Sequence, residues 1–247
     1  IQMKKAIFLS LISASVLTAG DLGVELGVSQ TNLKADFEYG DAATRTKVDE
    51  DLLGLDDKVT NIKPRVYYTS GNHTFDFDYE SLDFSGSNTL TKSVVFDDKT
   101  YAINTNVRST MEFDWYRLGY KYSLFNNNSS NLKAGIDLNI LDTNVGLDSD
   151  LTAASNYSET IPLPTLVLNG KYSFNENIAI EGKFAGLTAG SKGSYTEAFA
   201  GLNIKCLLLD NAHWRLGYQT KKLEIDVDDF DGELKFSGGF IGFNYKF

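Results

Sequence analysis

The sequence predicts an all-β fold, an antiparallel up-and-down transmembrane β-barrel with ten strands, eight or twelve being the alternative counts. Three observations predict it: an apolar N-terminal run, ten segments with apolar residues at alternate positions, and an aromatic residue at the C-terminus. Alternation with period two is typical of strands that have one apolar and one polar face. An even number of strands places both termini on one side of the membrane, which is the periplasmic side in bacterial barrels.

Composition agrees with this class and excludes others. The chain has 247 residues, 42% of them hydrophobic, which is typical of a folded domain. Its mean hydropathy of −0.22 argues against a bundle of membrane helices, whereas half of every barrel strand is polar. The formal net charge of −10 argues against nucleic acid as a partner, because such binding needs a basic surface.

The first residues have the pattern of an export signal. Lys4 and Lys5 form a short positive region, and residues 6–17 are an apolar run too short to span a bilayer. Small residues follow at positions 18–20. We therefore expect a signal peptide region at 1–19, a single barrel domain at 20–247, and a bacterial outer-membrane location.

Ten segments carry the alternation. They are residues 22–28, 65–69, 75–80, 116–122, 132–140, 166–172, 178–184, 197–205, 214–219 and 241–247. In the last segment Ile241, Phe243, Tyr245 and Phe247 share one face, and this pattern resembles the C-terminal signal of bacterial outer-membrane barrels. Each crossing needs about 9–11 residues, so we expect strands that run well past the membrane and some long loops.

The connections divide into short and long ones. Short turns are predicted on the periplasmic side, at 70–72, 125–131, 175–177 and 210–212. Longer connections are predicted on the extracellular side, at 40–58, around 97–100, and at 146–160, 190–194 and 228–232. Aromatic residues cluster beside the short turns, where one interfacial girdle is expected.

If the apolar face meets lipid, the polar face lines the lumen. The charged residues predicted to face the lumen are Glu25, Lys63, Arg65, Asp76, Asp78, Glu80, Arg117, Lys121, Asp137, Lys171, Glu181, Lys183, Glu197, Lys205 and Arg215. Both signs are present, and side chains can fill the interior of a small barrel. A salt-bridged polar plug is the favoured interpretation, because unpaired buried charges cost several kcal/mol. A narrow ion or solute pathway is the alternative, and a catalytic network inside the barrel is the least favoured interpretation.

One pair of strands allows a sharper prediction. The segments before and after the turn at 70–72 pair antiparallel, and a turn centred on Gly71 places Arg65 opposite residue 77. Its side chain would then reach the diagonal neighbours Asp76 and Asp78.

No catalytic residue, cofactor site or metal site is predicted. Cys206 is the only cysteine, which excludes an intramolecular disulfide and CxxC metal sites. The only histidines, His73 and His213, lie beside predicted periplasmic turns, so the extracellular rim has no histidine base for a hydrolase. The acidic run at 226–231 lacks the spacing of a calcium-binding loop and is interpreted as solvated charge.

Several short motifs resemble a known family. The run at 48–57 (VDEDLLGLDD) is similar to a segment of the proteobacterial outer-membrane barrels designated OMP_w_GlyGly, and further similarities lie at 89–96, at Leu163-Pro164 near Gly170-Lys171, and at 240–247. The layout also resembles OmpW-type and OmpA-type barrels. The resemblance implies an exported barrel, without a defined activity or site residues.

The sequence thus predicts a non-enzymatic outer-membrane barrel with a structural or narrow-passage role. A pore for small or cationic solutes is the alternative, motivated by Asp76, Asp78 and Glu80, and a surface enzyme acting on lipid A or peptides is less favoured. The expected partners are outer-membrane lipids, lipopolysaccharide and the barrel-assembly machinery, with the protein itself a monomer.

Overall fold

Ten long antiparallel strands form a closed barrel. The computed structural model describes residues 20–39, 46–97, 99–188, 190, 193–227 and 230–247. The barrel strands are β1 (Asp21–Tyr39), β3 (Lys58–Ser70), β4 (His73–Thr89), β7 (Asn106–Asn126), β8 (Ser130–Ser149), β9 (Ser155–Ser173), β10 (Ile178–Thr188), β11 (Gly193–Lys205), β12 (Ala212–Val227) and β13 (Phe230–Lys246). Three further short strands are β2 (Thr46–Asp49), β5 (Val94–Phe96) and β6 (Lys99–Tyr101).

The first and last barrel strands close the sheet. β13 pairs with β1 from Lys246 opposite Gly23 up to Phe230 opposite Tyr39, and every other barrel strand pairs with its sequence neighbour in the barrel. Closure pairs β1 with β13, which would otherwise be the two free edge strands of the sheet. The predicted fold class and the count of ten are confirmed, and the alternative counts of eight and twelve are excluded.

The outward face carries an apolar band. Leu26, Ile62, Leu118, Leu166 and Phe184 are 54–73% exposed on the outside of five strands. We refer to the end of the barrel that carries Asp21 and Lys246, which is predicted to be periplasmic, as the periplasmic end, and to the opposite end as the extracellular end. Toward the extracellular end the outward positions become polar, for example at Asp142 on β8, Thr160 on β9 and Thr188 on β10. An apolar outward band of limited height is what is expected of the lipid-facing surface of a membrane barrel.

The segment after β1 folds back onto the barrel. β2 pairs with β1, and the single-turn helix α1 (Glu50–Leu53) follows it. The Asp49 side chain caps the N-terminus of α1 by accepting from the Leu52 N–H at 2.7 Å. Gly54 ends the helix in the left-handed conformation, with φ at 65°. Its carbonyl lies so close to Gly86 of β4 that a Cβ at position 86 would stand 1.7 Å from the oxygen.

The predicted loop lengths need correction. The long loop predicted at 146–160 is wrong, because β8 continues to Ser149 and β9 begins at Ser155. The described part of 40–58 contains β2 and α1, and the tip near 97–100 belongs to the hairpin of β5 and β6. The predicted signal peptide at 1–19, residues 40–45 and the Asp228–Asp229 pair lie outside the described residues.

The register between β3 and β4 differs by one residue from the predicted one. Arg65 lies opposite Asp78 and not opposite residue 77, because the pairing starts with Ser70 opposite His73. Arg65 Nη2 still reaches the diagonal neighbour Asp76, at 3.4 Å. In the described part of the chain, no helix is long and apolar enough to cross a membrane.

Candidate functional site

A network of ion pairs crosses the barrel interior at the level of the apolar band. Its centre is Arg117 of β7, which contacts Asp78 Oδ2 of β4 at 2.7 Å and Glu197 Oε2 of β11 at 2.7 Å. β7 and β11 are not neighbours in the sheet, so the contact between Arg117 and Glu197 spans the lumen. Only 13% of the Arg117 side chain is exposed.

Two lysines extend this network. Lys121 Nζ lies 2.6 Å from Asp76 Oδ2 and 2.9 Å from Asp137 Oδ1. Lys183 Nζ lies 3.2 Å from Asp137 Oδ2 and 2.9 Å from Glu197 Oε2. Asp76, Asp137 and Glu197 each contact at least two cations, whereas Asp78 contacts, of the described cations, Arg117 alone. Removal of any one of these cations therefore leaves a buried negative charge with fewer partners.

Two smaller clusters adjoin the network. Glu80 Oε2 accepts from Lys221 at 2.6 Å and lies 2.9 Å from Lys63 Nζ. Arg215 contacts Glu25 Oε1 at 3.0 Å and also pairs with Glu181. Lys221 was missed by the sequence analysis, although it lies two residues beyond Gln219 on the same face of β12.

The charges of the interior cancel. Among the described residues, the network and its two adjoining clusters contain seven cations and seven carboxylates: Lys63, Arg65, Arg117, Lys121, Lys183, Arg215 and Lys221 against Glu25, Asp76, Asp78, Glu80, Asp137, Glu181 and Glu197. The cavity between them has a volume of about 50 Å³. This is room for one or a few water molecules and not for a continuous aqueous channel.

Two of the predicted lumen residues lie outside this network, at the periplasmic end. Lys171 lines an open vestibule of about 410 Å³, together with Lys133, His213 and Lys246. Lys205 is the last residue of β11, and its Nζ lies 3.5 Å from Asp210 Oδ1. The structure therefore does not join Lys171 or Lys205 to the central ion pairs.

An aromatic layer covers the extracellular side of the ion pairs. Lys221 Nζ lies 4.0 Å from the ring centroid of Trp115, which packs on Phe236 and Tyr195 at centroid distances of 5.7 Å. Phe113 contacts Phe236 at 4.9 Å. These rings are nearly inaccessible to solvent, so they separate the charged layer from the extracellular half.

The extracellular half of the interior is an apolar core, which the sequence analysis did not predict. Its buried members come from barrel strands and from the returning segments, and they include Leu33, Phe37, Leu52, Leu53, Leu82, Phe84, Leu90, Val94, Met111 and Leu147. The sequence does contain a sign of this core, because the alternation of apolar and polar residues changes its phase along the strand. In β1 the apolar residues occupy even positions up to Val28 and odd positions from Leu33 onward, so the apolar face changes from the lipid side to the inside.

A cavity of about 380 Å³ opens within this core. Its wall includes Met111 and Phe113 of β7, Val145 of β8, and Ile161 and Leu163 of β9. On the opposite side it is lined by residues of β10 to β13 and β1, among them Leu187, Tyr195, Leu223, Ile225, Leu234 and Phe37. We refer to this cavity as the apolar chamber.

Neither histidine of the chain lies at the extracellular rim. His73 hydrogen-bonds through Nδ1 to the Tyr120 hydroxyl at 2.9 Å, and His213 lines the periplasmic vestibule. Both histidines of the chain are therefore at the periplasmic end. In the part of the chain that is described, no group of three histidine, cysteine, aspartate or glutamate side chains could hold a metal ion.

Comparison with known proteins places the fold in a class. No family model matches the chain, and no curated protein matches it in sequence. The outer membrane protease OmpT of Escherichia coli has a similar structure, with a TM-score of 0.61 at 9% identity over 95% of this chain and 100% of that one. OprG of Pseudomonas aeruginosa gives 0.42 at 12% identity over 93% of this chain and 96% of that one. The attachment invasion locus protein Ail of Yersinia pestis has a TM-score of 0.40 at 10% identity, over 93% of this chain and 100% of that one.

The protein thus has the fold of a bacterial outer-membrane β-barrel. At 9% identity the likeness to OmpT shows a shared fold and does not extend to activity.

Proposed function

We propose that this protein is an integral, non-enzymatic barrel of the bacterial outer membrane whose lumen is closed. The observation that carries the proposal is the charge-balanced ion-pair network, which leaves a cavity of only about 50 Å³ at the level of the lipid-facing band. The aromatic layer above it supports the same conclusion, because Trp115, Tyr195 and Phe236 close the lumen a second time. Membership of the OMP_w_GlyGly family remains part of this proposal.

The pore for cationic solutes is the weaker candidate. It was motivated by the acidic ladder Asp76, Asp78 and Glu80, and each of these carboxylates is ion-paired. A paired and neutralised ladder gives a permeating cation no net field to follow.

Conductance in planar lipid bilayers tests the closed lumen. We expect no regular conductance steps from the folded wild-type protein under conditions in which a reference porin conducts. The double variant Arg117→Ser/Glu197→Ser removes the contact that spans the lumen, and brief openings are expected once Trp115→Ala/Phe236→Ala is added to it, because the aromatic layer closes the lumen a second time. Its matched control, Arg108→Ser/Asp148→Ser, removes an exposed ion pair with a distance of 2.7 Å and should remain silent. Regular steps from the wild type would overturn the proposal.

Location is tested separately. Cell fractionation should recover the protein with the outer membrane, and its electrophoretic mobility should shift on heating, as expected for a barrel that stays folded in detergent until heated. A soluble periplasmic protein without a heat shift would contradict the proposed membrane insertion.

The absence of enzymatic activity is also a proposal. Its support is the position of both histidines at the periplasmic end, away from the surface where an external substrate would arrive. Mass spectra of lipid A from cells with and without the gene should be identical. A changed acyl pattern would favour the enzyme alternative.

A further inference from the structure

The barrel wall has a gap on its extracellular side, between β9 and β10. The ladder between these strands ends at Gly186 opposite Leu166. β9 continues for residues 155–165 and pairs there with β8 alone, as far as Ser155 opposite Leu147. β10 turns away, and its last residues pair only with β11, where Thr188 lies opposite Ser194. Within the described residues, 155–165 therefore form a sheet edge. A second interruption lies between β3 and β4, whose ladder ends at Arg65 opposite Asp78. There the segment after α1 covers β4, because Leu55 bridges to Gly86 and the Asp56 N–H donates to the Ser85 carbonyl.

The composition of β9 fits an edge. Pro162 and Pro164 lie in this stretch, and they are two of the three prolines of the chain. Proline has no backbone N–H to donate to a neighbouring strand, and within sheets it is mostly found at edges. The sequence thus disfavours continuation of the ladder with β10 at the place where the ladder ends.

The gap leads into the apolar chamber. Ile161 and Leu163 of β9 form one side of the passage, and Leu187 of β10 with Tyr195 of β11 forms the other. On the outside, the gap begins beside Leu166, which is 73% exposed, and Phe184, which is 57% exposed. Both belong to the lipid-facing band, so the entrance lies at the outer edge of the membrane and opens sideways.

The chamber is suited to an uncharged apolar molecule. Its volume of about 380 Å³ is within the range of about 300–1,000 Å³ that is usual for small-molecule sites. Its floor is closed by the aromatic layer, and its wall is mostly aliphatic and aromatic. The charged residues that line its rim are Asp97, Glu159 and Glu224. Glu224 is ion-paired with Lys222 at 2.6 Å, so Asp97 and Glu159 give the rim its negative charge. An anionic headgroup or carboxylate would meet charge of the same sign there.

We infer that the apolar chamber is a binding site for a small uncharged apolar molecule, which enters from the outer leaflet through the gap between β9 and β10. This inference relies on the proposed function only for the membrane orientation of the barrel. A closed lumen and an occupied chamber are independent properties, because the charged and aromatic layers lie between the chamber and the periplasmic vestibule.

Retention of 1-bromooctane tests the inference. The folded full-length barrel in amphipol is equilibrated with this neutral probe and passed through a desalting column, and the retained probe is quantified by gas chromatography. We expect about one equivalent per barrel, with saturation. The anionic analogue 8-bromooctanoate should be retained about tenfold less, because of the acidic rim.

Two double variants with the same pair of substitutions localise the probe. Val145→Phe/Ile161→Phe fills the chamber and should abolish retention. Val28→Phe/Ile136→Phe places the same groups on the exposed outer face, where these side chains are 42% and 59% exposed, and should retain the probe like the wild type. The heat shift of each variant verifies that it is folded. No retention by the folded wild type, or equal retention by both double variants, would overturn the site.

A fluorescence measurement checks the position independently. Trp214 is 43% exposed on the outer face and is replaced by Phe, which leaves Trp115 as the sole tryptophan. Trp115 lies directly behind Tyr195 of the chamber wall, at a centroid distance of 5.7 Å. Bound bromine should quench Trp115 fluorescence saturably. Quenching that stays linear in probe concentration would indicate partition into the amphipol and contradict a site. The conductance experiment is unaffected by either result.

Discussion

At the scale of single residues, Arg117 has the largest role in the interior. It contacts Asp78 and Glu197 at 2.7 Å and lies 3.9 Å from Asp137. Replacement by alanine would leave these carboxylates with fewer cations in a nearly dry interior. We expect Arg117→Ala to lower the free energy of unfolding by about 3–5 kcal/mol, measured by urea titration in lipid vesicles.

The controls for Arg117 separate burial from charge. Arg108 also contacts two aspartates, at 2.7 and 2.9 Å, but its side chain is 51% exposed. Arg108→Ala should leave the unfolding midpoint unchanged, because water screens exposed pairs. Arg117→Lys keeps the charge but cannot reproduce the forked contact, so its free energy of unfolding should lie between those of the wild type and Arg117→Ala. Equal effects at positions 108 and 117 would mean that the lumen is hydrated.

The same scale shows what a sequence can predict about the interior. The alternation of apolar and polar positions along each strand is sufficient to place a residue such as Asp76 or Arg117 on the polar face. Partners across the lumen are not predictable in this way, because the distance between β7 and β11 depends on the strand number and stagger of the closed barrel. The contact between Arg117 and Glu197 therefore needed the three-dimensional structure.

At the scale of secondary-structure elements, the carboxylate of Glu50 joins α1 to β1. Glu50 is buried, and it accepts from the Lys34 ammonium at 2.6 Å and from the Ala35 N–H at 2.8 Å. Burial by itself raises the pKa of Glu50, but these hydrogen bonds outweigh it, and the pKa is lower than usual. Because the pKa is lowered, the charged form of Glu50 stabilises the docked segment at pH values above the ordinary pKa of glutamate. This stabilisation is lost as the pH falls through the lowered pKa.

Amide hydrogen exchange measures this effect. Residues 46–57 should be protected at about pH 7 and lose protection as the pH falls through and below about 4, after correction for the intrinsic exchange rate. Glu50→Gln should show reduced protection at neutral pH and a flatter pH dependence. Asp51→Asn, at an exposed neighbouring position, is the matched control. If the protection of residues 46–57 still falls with pH in Glu50→Gln, another titrating group is responsible for the pH dependence.

Element boundaries show where the sequence analysis was insufficient. All ten strands were predicted, because a lipid-facing strand alternates strongly within the membrane. Beyond the membrane edge, β8 and β9 carry outward polar residues such as Asp142 and Thr160, which a loop would also carry. The segment 146–160 therefore resembled a loop, although it is largely two paired strands.

At the scale of the whole molecule, the barrel has three layers along its axis. A polar vestibule lies at the periplasmic end, the neutral ion-pair network and the aromatic layer follow, and the apolar core occupies the extracellular end. In β1 the apolar residues change from even to odd positions between Val28 and Leu33, and this change marks where the apolar core begins. An outer-membrane strand exposed to water on its outside buries its apolar face inward, as a strand of a soluble protein does.

The C-terminus allows assembly to be separated from stability. Phe247 is 68% exposed, and its contacts are a backbone hydrogen bond to Leu22 at 2.8 Å and a ring contact with Tyr245 at 5.0 Å. Phe247→Ala keeps the backbone hydrogen bond and removes a largely exposed ring. We expect it to lower the urea midpoint of refolded protein only slightly, because the ring packs, among the described aromatic residues, on Tyr245 alone and otherwise loses only its contact with the membrane interface.

In cells the same substitution should lower the amount of folded barrel several-fold, if Phe247 belongs to a signal that the barrel-assembly machinery reads. The heat-shifted band in outer-membrane fractions measures this amount. Leu208→Ala is the control, since Leu208 is an apolar residue with 91% exposure in the connection between β11 and β12, at the same end of the barrel. Equal cellular yields of both variants would show that the aromatic end has no role in assembly. A loss of yield accompanied by an equal loss of stability in vesicles would assign Phe247 to the folded barrel itself.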